Sequence, residues 1–314
     1  MPAGSLSGIQ IIDRTGITPD ASIGSQVLME IINRIPRMVS TSRELRSKGT
    51  RIGLVPTRGA LHEGHLSLMS RARELCEAVI VSICLDPRSD EGSDEGSEEP
   101  RVDLARDAEL AFTRGVDLIF AAAAEDMFAQ GFSTFVTVEG LSEKLEGARL
   151  PGHFREATTV VNKLLNIVHP HFAFFGRKDA QQVVIVKRMV RELAMDVEIV
   201  VCPTVREEDG LALSPMNVNL STEERKAAIV LRRALERCQS LCNGGERDAA
   251  RLVASMRSMI EAEPLARIDY VGITDTERLD PVDTISAVSP TLVSLAGYIG
   301  ATRLTDNIVL NGEL

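Results

Sequence analysis

Between residues 29 and 204, short apolar runs alternate with longer segments whose apolar residues recur at helical spacing. The apolar runs predict strands at 29–33, 51–55, 78–85, 116–121, 172–175 and 197–202. The intervening segments predict helices at 38–48, 63–76, 103–114, 154–168 and 179–194. Strands separated by helices are typical of a parallel sheet with right-handed crossovers. We therefore predict an α/β fold with a Rossmann-like parallel sheet, whose ligands bind beyond the carboxyl ends of the strands.

The pattern changes after about residue 204. Amphipathic helices are predicted at 223–242 and 247–262, and strands at 268–273, 292–298 and 303–310. They indicate a smaller C-terminal α+β domain. We therefore expect three parts: a flexible N-terminal extension rich in Gly, Ser, Thr and Pro (1–28), a Rossmann-like domain (29–204) and a C-terminal domain that closes as a lid (205–314).

The composition is that of a globular protein. Of 314 residues, 44% are hydrophobic and 25% charged, which is too apolar for a disordered chain. The net charge of −10 argues against nucleic acid as a partner, because binding a phosphate backbone needs a basic surface. No apolar run approaches the roughly 20 residues of a membrane span, so we expect no membrane association.

The cysteines and the N-terminus predict a cytoplasmic protein. The five cysteines include no CxxC pair and no spacing typical of zinc, which favours free thiols in a reducing compartment. Cys238 and Cys242, one helical turn apart, are interpreted as small apolar core residues. The first residues lack the basic start and apolar core of an export signal.

The segment 56–65, Pro-Thr-Arg-Gly-Ala-Leu-His-Glu-Gly-His, is the strongest chemical signal and lies between a predicted strand and its helix. Gly59 and Gly64 allow a tight turn and close approach of a ligand. His62 and His65 share one face at the helix N-terminus, where free N–H groups attract phosphate. Either histidine taken alone is more simply interpreted as a residue that caps the helix N-terminus. A zinc protease would need H-E-x-x-H, and this segment is one residue short.

The segment 88–101 is rich in Ser, Gly and acidic residues and directly follows a predicted strand. Its composition favours a solvated loop, which is compatible with a lid over the neighbouring site. A calcium site is disfavoured, because the spacing does not match an EF-hand loop.

Five blocks, in order, resemble the pantothenate synthetase family of HxGH nucleotidyltransferases, of which the chain looks like a divergent member. They are PTRGALHEGH (56–65), LEGA with PGHFR (145–155), FGRKDAQQ (175–182), PTVRE with DGLALS (203–214) and TRLTDNI (302–308). The resemblance runs from about residue 29 to residue 308. It implies a homodimeric ligase that uses ATP and Mg²⁺ to convert a small carboxylic acid into an acyl adenylate, which an amine then attacks to give an amide, AMP and pyrophosphate.

The resemblance also implies roles for individual residues. His62 and His65 would contact the phosphates, and Lys178 would place a cation at the transferred group. The remaining ATP-binding residues would be Pro56, Thr57, Gly59, Gly176, Asp179, Val205, Leu213 and Ser214. Gln182, Arg58 and Ser89 would face the acid, and Asp107 is the best match to an acidic residue near magnesium.

Several positions depart from the family pattern. The departures are Arg58, Asp86, Ser89, Leu150, Arg177, Pro215 and Met216. Ser89 replaces a glutamine that would hold the acid, and Met216 replaces an arginine that would face phosphate. Arg58 or Arg177 could restore that positive charge from another direction.

These departures leave several functions open. They favour a paralogue that joins a different acid and amine over an enzyme that makes pantothenate itself. An acid with a further anionic group would give Arg58 a partner. A nucleotidyltransferase without the amine step is a second hypothesis, since the HxGH element alone would allow it. A binding protein without catalysis is a third, supported by Pro215 and Met216.

Overall fold

The computed structural model describes residues 29–84 and 102–314. The predicted extension at 1–28, the whole acidic segment at 88–101 and Asp86 lie outside the described residues, and so does Ser89 within that segment. The chain divides into two compact units. The described residues of the first unit are 29–84, 102–134, 159–175 and 194–202, and those of the second are 135–158, 176–193 and 203–314. The predicted boundary at 204 is close to the end of the first unit, but two earlier segments belong to the second.

The first unit contains a six-stranded sheet with the strand order β1-β4-β3-β2-β5-β6. Adjacent strands from β1 through β5 pair in parallel. The strands are β1 (Glu30–Ile32), β2 (Ile52–Thr57), β3 (Ala78–Ile83), β4 (Leu118–Phe120), β5 (Phe172–Gly176) and β6 (Glu198–Cys202). The crossovers place β2 and β3 in the middle of the sheet, so the chain leaves β2 at its centre.

The apolar content of the central strands explains their position. All six residues of β3 are buried, as are five of the six in β2, which suits strands covered on both faces. Helices of this unit are α1 (Ile35–Ser47), α2 (Glu63–Leu75), α3 (Leu104–Thr113) and α4 (Ala124–Met127). A core cluster joins α2 and α3 to the sheet and includes the fully buried side chains of Leu61, Met69 and Phe174.

The second unit is built on a three-stranded antiparallel sheet, β7-β8-β9, and two long helices. The strands are β7 (Ala266–Asp275), β8 (Thr291–Ile299) and β9 (Thr302–Leu310), and the long helices are α8 (Thr222–Asn243) and α9 (Ala249–Glu261). It also contains α5 (Glu146–Arg149) and α7 (Ala180–Glu192), while α6 (His153–Val168) contributes residues to both units. Ser221 begins α8 with a capping box, in which its hydroxyl accepts from Glu224 N and the Glu224 carboxylate accepts from Ser221 N.

The structure confirms the predicted α/β fold with a smaller α+β part. Each predicted strand and helix is present within a few residues of its expected bounds. The sequence missed α4, α5 and three one-turn helices at Leu141–Glu143, Arg177–Asp179 and Pro215–Asn219, which are too short to show a period. Within residues 29–84 and 102–314, no helix combines the length and apolar character that crossing a bilayer requires.

The cysteines form no disulfide, as predicted. Cys238 and Cys242 lie in the core of the second unit, packed with apolar side chains. Burial raises the pKa of Cys238 to about 12, so this thiol stays protonated and behaves as an apolar group.

His171 gives the first unit a pH-dependent contact. Its Nδ1 accepts a hydrogen bond from Ile52 N at 3.0 Å, which requires the deprotonated nitrogen. Burial, together with the Arg46 guanidinium, holds the pKa of His171 below its ordinary value of 6.5. Below that value the unfolded chain binds a proton that the folded chain lacks, so the free energy of unfolding should fall as pH drops from 6.5 toward the lowered pKa.

The measurement is urea denaturation followed by circular dichroism above and below pH 6.5. The variant His171→Asn keeps an oxygen acceptor without titrating, and it should show a weaker loss of stability on acidification. Equal losses in both proteins would contradict this account of His171.

Candidate functional site

The loop after β2 is held close to the sheet. The Thr57 hydroxyl donates a hydrogen bond to Ser82 O at 2.8 Å. The Thr57 hydroxyl oxygen in turn accepts a hydrogen bond from Gly59 N at 3.3 Å. Gly59 has φ +87°, and a Cβ at this position would lie 2.7 Å from a methyl group of Val102. Only glycine therefore fits this turn without displacing its neighbour.

The two predicted histidines lie together at the start of α2. His62 is the N-cap residue, and its Nδ1 accepts from Gly64 N at 3.1 Å. In neutral His62 this bond leaves the ring proton on Nε2. The ring centroids of His62 and His65 are 4.0 Å apart. The helix N-terminus and two imidazoles thus form one donor surface suited to an anion.

Asp107 in α3 supports the same loop. Its side chain is fully buried, and its Oδ1 accepts from Leu61 N at 2.8 Å. The bond follows Ala60, a non-glycine residue at φ +50°, and so stabilises a turn that alanine rarely adopts. Burial raises the pKa of Asp107, against the opposing effect of its backbone hydrogen bonds.

Asp107 lies in no cluster of possible metal ligands within the part of the chain that the structure describes. There, no three His, Cys, Asp or Glu side chains are arranged to hold a metal ion. The predicted magnesium ligand therefore stays a prediction, and the geometry favours a role in holding the loop.

A second group of predicted residues follows β5, in the second unit. Gly176 ends the strand, and Arg177–Asp179 form a single helical turn before α7. Lys178 Nζ lies 3.5 Å from Asp179 Oδ1, and 26% of the Lys178 side chain is exposed. The ammonium is thus reachable from solvent while its backbone lies in an ordered turn.

The two consecutive glutamines of the KDAQQ block have different positions. Gln181 is buried; its amide donates to Leu141 O at 2.9 Å and Lys144 O at 2.7 Å, and its Oε1 accepts from Glu146 N. Gln181 therefore fixes the backbone around residue 144. Gln182 is half-buried and lines a cavity of about 100 Å³, and its contact with the acid stays a prediction.

That cavity brings together three of the predicted residues and several that the sequence did not assign. The predicted members are Lys178, Asp179 and Gln182, and the unassigned polar members include Glu146, His153, Tyr270, Ser294 and Asn307. Asn307 lies in the TRLTDNI block, which resembles the family, so the sequence marked this position. Nothing in the sequence indicated which groups Asn307 contacts.

A third group lies in the loop after β6. Leu213 N donates to Val205 O at 3.0 Å, which closes a small hairpin. The Ser214 hydroxyl accepts from Met216 N at 3.3 Å and begins the short helix Pro215–Asn219. Pro215 is the first residue of this helix, where its lack of an N–H costs nothing. The departure at Pro215 is therefore compatible with an intact loop.

The first unit thus groups the predicted residues Pro56, Thr57, Arg58, Gly59, His62, His65 and Asp107 in and around the loop after β2. The second unit contains Gly176, Lys178, Asp179, Gln182, Val205, Leu213 and Ser214. Arg58 is exposed, and Arg177 is half-buried.

Comparisons with known proteins agree with these blocks. The sequence model of the pantoate-beta-alanine ligase family matches residues 30–309. A curated pantothenate synthetase of Heliobacterium modesticaldum is 51% identical over 282 residues, which is 90% of this chain and 99% of the relative. That of Pelotomaculum thermopropionicum is 50% identical over 286 residues, 91% of this chain and 100% of the relative.

Solved structures give the same result. A pantothenate synthetase of Thermus thermophilus superposes with a TM-score of 0.80 at 41% identity, covering 89% of this chain and 99% of that structure. A pantoate-beta-alanine ligase of Francisella tularensis, crystallised with beta-gamma ATP and beta-alanine, superposes with a TM-score of 0.70 at 30% identity, covering 90% of this chain and 97% of that structure. The resemblance predicted from the sequence is confirmed: the chain belongs to the pantoate-beta-alanine ligase family.

Proposed function

We propose that this chain joins pantoate to β-alanine in an ATP-dependent reaction that passes through pantoyl adenylate. Membership of the family makes it an AMP-forming carbon–nitrogen ligase, as the sequence predicted. The observation that carries the proposal is the intact two-histidine loop at the start of α2, within a chain that matches the family over residues 30–309.

The reaction needs no nucleophile from the protein. A carboxylate oxygen of the acid attacks the α-phosphorus of ATP; the new O–P bond forms as the bond to pyrophosphate breaks. The uncharged amine then attacks the acyl carbon, AMP leaves with the bonding electron pair, and the nitrogen loses a proton. The protein has to align the reactants, neutralise phosphate charge and keep water from the mixed anhydride.

The loop after β2 serves the phosphates. His62 and His65 donate hydrogen bonds to phosphate oxygens, strengthened as negative charge moves onto the departing pyrophosphate. Thr57 and Gly59 keep the backbone in the shape that brings the two rings together, and Pro56 precedes Thr57, the last residue of β2.

The second unit supplies a cation and the contacts to nucleoside and acid. Lys178 neutralises charge at the transferred phosphate, and Asp179 with Gly176 holds the ribose. Val205 and Leu213 flank the adenine, and Ser214 adds a phosphate contact. Gln182 hydrogen-bonds the hydroxy acid.

The choice of pantoate and β-alanine rests on overall similarity. The local departures favoured a paralogue, yet relatives named pantothenate synthetase are 50–51% identical over at least 90% of this chain. Arg58 and Arg177 then act as replacement cations near the site and do not select a different acid. Arg58→Met should therefore weaken ATP binding without changing which acid is preferred.

Magnesium is proposed to arrive with the triphosphate. Mg²⁺ is commonly bound by one or two carboxylates with substrate phosphates and water, so it does not need a ready-made protein site. The ion would offset phosphate charge. The roles proposed for the residues of this chain do not require any of them to bind it.

The variant Asp107→Ala separates the two roles considered for this carboxylate. It removes the acceptor of Leu61 N, and we expect adenylate formation to slow by about 10- to 100-fold through a misplaced loop. Asp107→Asn keeps an oxygen acceptor and should lose less. The Mg²⁺ concentration giving half-maximal rate should be unchanged in both variants, whereas a rise in both would show that Asp107 binds the metal.

We also propose a cytoplasmic homodimer. Sedimentation equilibrium should give twice the chain mass of 34.1 kDa, and a single-chain mass at micromolar concentration would refute the dimer.

Product analysis by mass spectrometry tests the function directly. The protein is incubated with ATP, Mg²⁺ and a mixed pool of acids and amines. Pantothenate and AMP should be the main products. A different amide would support the paralogue, and a stable nucleotidyl product without amide would support a nucleotidyltransferase.

A further inference from the structure

Asn307 on β9 contacts the backbone on both sides of Lys178. Its Nδ2 donates to Arg177 O at 3.0 Å and to Lys178 O at 2.8 Å. These carbonyls belong to the two peptide groups that flank the Lys178 Cα. Fixing both peptide planes fixes the φ and ψ of Lys178, and with them the direction in which its side chain leaves the turn.

The burial of Asn307 indicates that its amide N–H groups are what the site requires. The residue is 5% exposed, and within the described residues its Oδ1 is buried without a hydrogen bond. Burying an unsatisfied amide oxygen costs about 1–3 kcal/mol. An apolar side chain would avoid that cost but would leave the carbonyls of Arg177 and Lys178 without this donor.

The preceding residue, Asp306, makes an equivalent link to the third group of predicted residues. Its carboxylate is 4% exposed and receives two hydrogen bonds from Arg206, at 2.8 and 3.0 Å. Arg206 also donates to Gly210 O, across the loop that contains Val205 and Leu213. Asp306 Oδ1 further accepts from Asn307 N at 2.7 Å.

We propose that Asn307 is a positioning residue for Lys178 and that, through Asp306, the same dipeptide of β9 sets the loop at 205–214. This inference rests on the proposed function, because it assigns Asn307 an effect on the step in which Lys178 neutralises phosphate charge. It explains why a polar dipeptide is buried in a strand whose Leu304 and Leu310 pack into the apolar core. Asn307 itself donates no group to the reacting atoms.

The test is a double-mutant cycle between Asn307→Ala and Lys178→Ala, read by the exchange of labelled pyrophosphate into ATP in the presence of pantoate. We expect Asn307→Ala to slow exchange by about 10- to 100-fold, the loss that follows from misplacing a catalytic group by about 1 Å. In the Lys178→Ala background the further loss should be less than about 3-fold, because the residue that Asn307 positions is gone.

Asn166→Ala in α6 is the matched control. Its Nδ2 also donates to a backbone carbonyl, Asn162 O at 2.8 Å, but at an exposed position of a regular helix. It should leave exchange unchanged. Thermal unfolding followed by circular dichroism establishes that each variant is folded. Asn307→Leu, which keeps a side chain of similar size and loses the donor without adding a charge beside Asp306, replaces the alanine variant in the cycle if the latter does not fold.

Exchange by Asn307→Ala equal to that by Asn166→Ala would overturn the inference. The inference would also be overturned if the loss of exchange in the double variant equalled the product of the losses in the two single variants. That result would indicate a general structural effect of Asn307→Ala. Failure of the unmodified protein to exchange at all would instead overturn the proposed function, so the two failures are distinguishable.

Discussion

Replacing His65 with alanine is expected to slow formation of the acyl adenylate by about 10²- to 10³-fold, the usual cost of removing one donor to charge that develops in a transition state. His62→Ala should show a similar loss. In each case one of two imidazoles, 4.0 Å apart at the α2 N-terminus, no longer reaches the phosphates. The measurement is the rate of pantoate-dependent pyrophosphate exchange at saturating ATP.

His169→Asn provides the control for the histidine variants. His169 is an exposed residue of the first unit with φ +45°, a conformation that asparagine tolerates. It should exchange at the unmodified rate. If both His62→Ala and His65→Ala exchanged at the unmodified rate, the histidines of the loop after β2 would have no role in adenylate formation.

Replacing Arg303 with leucine should lower the free energy of unfolding of the second unit by about 1–3 kcal/mol, since the mostly buried Glu146 carboxylate loses its bidentate partner, whereas Asp269 keeps Arg149 at 3.1 Å. Arg303 makes a bidentate pair with Glu146 at 2.8 and 3.0 Å and contacts Asp269 at 2.8 Å. The three side chains are only 22%, 20% and 13% exposed. Both carboxylates raise the pKa of Arg303, which marks the strength of the pairing.

The comparison for Arg303 is Arg257→Leu. Arg257 pairs with Glu261 at 3.6 Å on the surface of α9, and the Arg257 side chain is 46% exposed. Pairs of this kind contribute about 0.5 kcal/mol or less, so the urea midpoint should barely move. Equal shifts in both variants would mean that the Arg303 pair is no stronger than a surface pair. Circular dichroism is the suitable signal, because the chain has no tryptophan.

The regular elements were predictable because each carries a periodic pattern longer than two turns or a run of apolar residues. The two-histidine loop was predictable for a different reason: Gly59, His62 and His65 are close in sequence, so their spacing alone places them on one turn. Short helices such as Glu146–Arg149 have no period to detect.

Contacts between distant residues could not be predicted from these patterns. The resemblance links Asp107 to magnesium as the best match to an acidic position of the family, whereas its hydrogen-bond partner is a backbone N–H 46 positions away. Asn307 lies in the TRLTDNI block, but the sequence predicts no role for it, since its partners are carbonyls 129 and 130 positions earlier. Backbone partners leave no trace in residue type, which is why positioning residues escape a reading of the sequence.

The central claim is that the chain uses ATP to activate the carboxyl group of pantoate. The most direct measurement is incorporation of labelled pyrophosphate into ATP, with Mg²⁺ and without any amine. We expect rapid incorporation that requires pantoate. No incorporation with pantoate present, or equal incorporation without it, would contradict activation of pantoate by this chain.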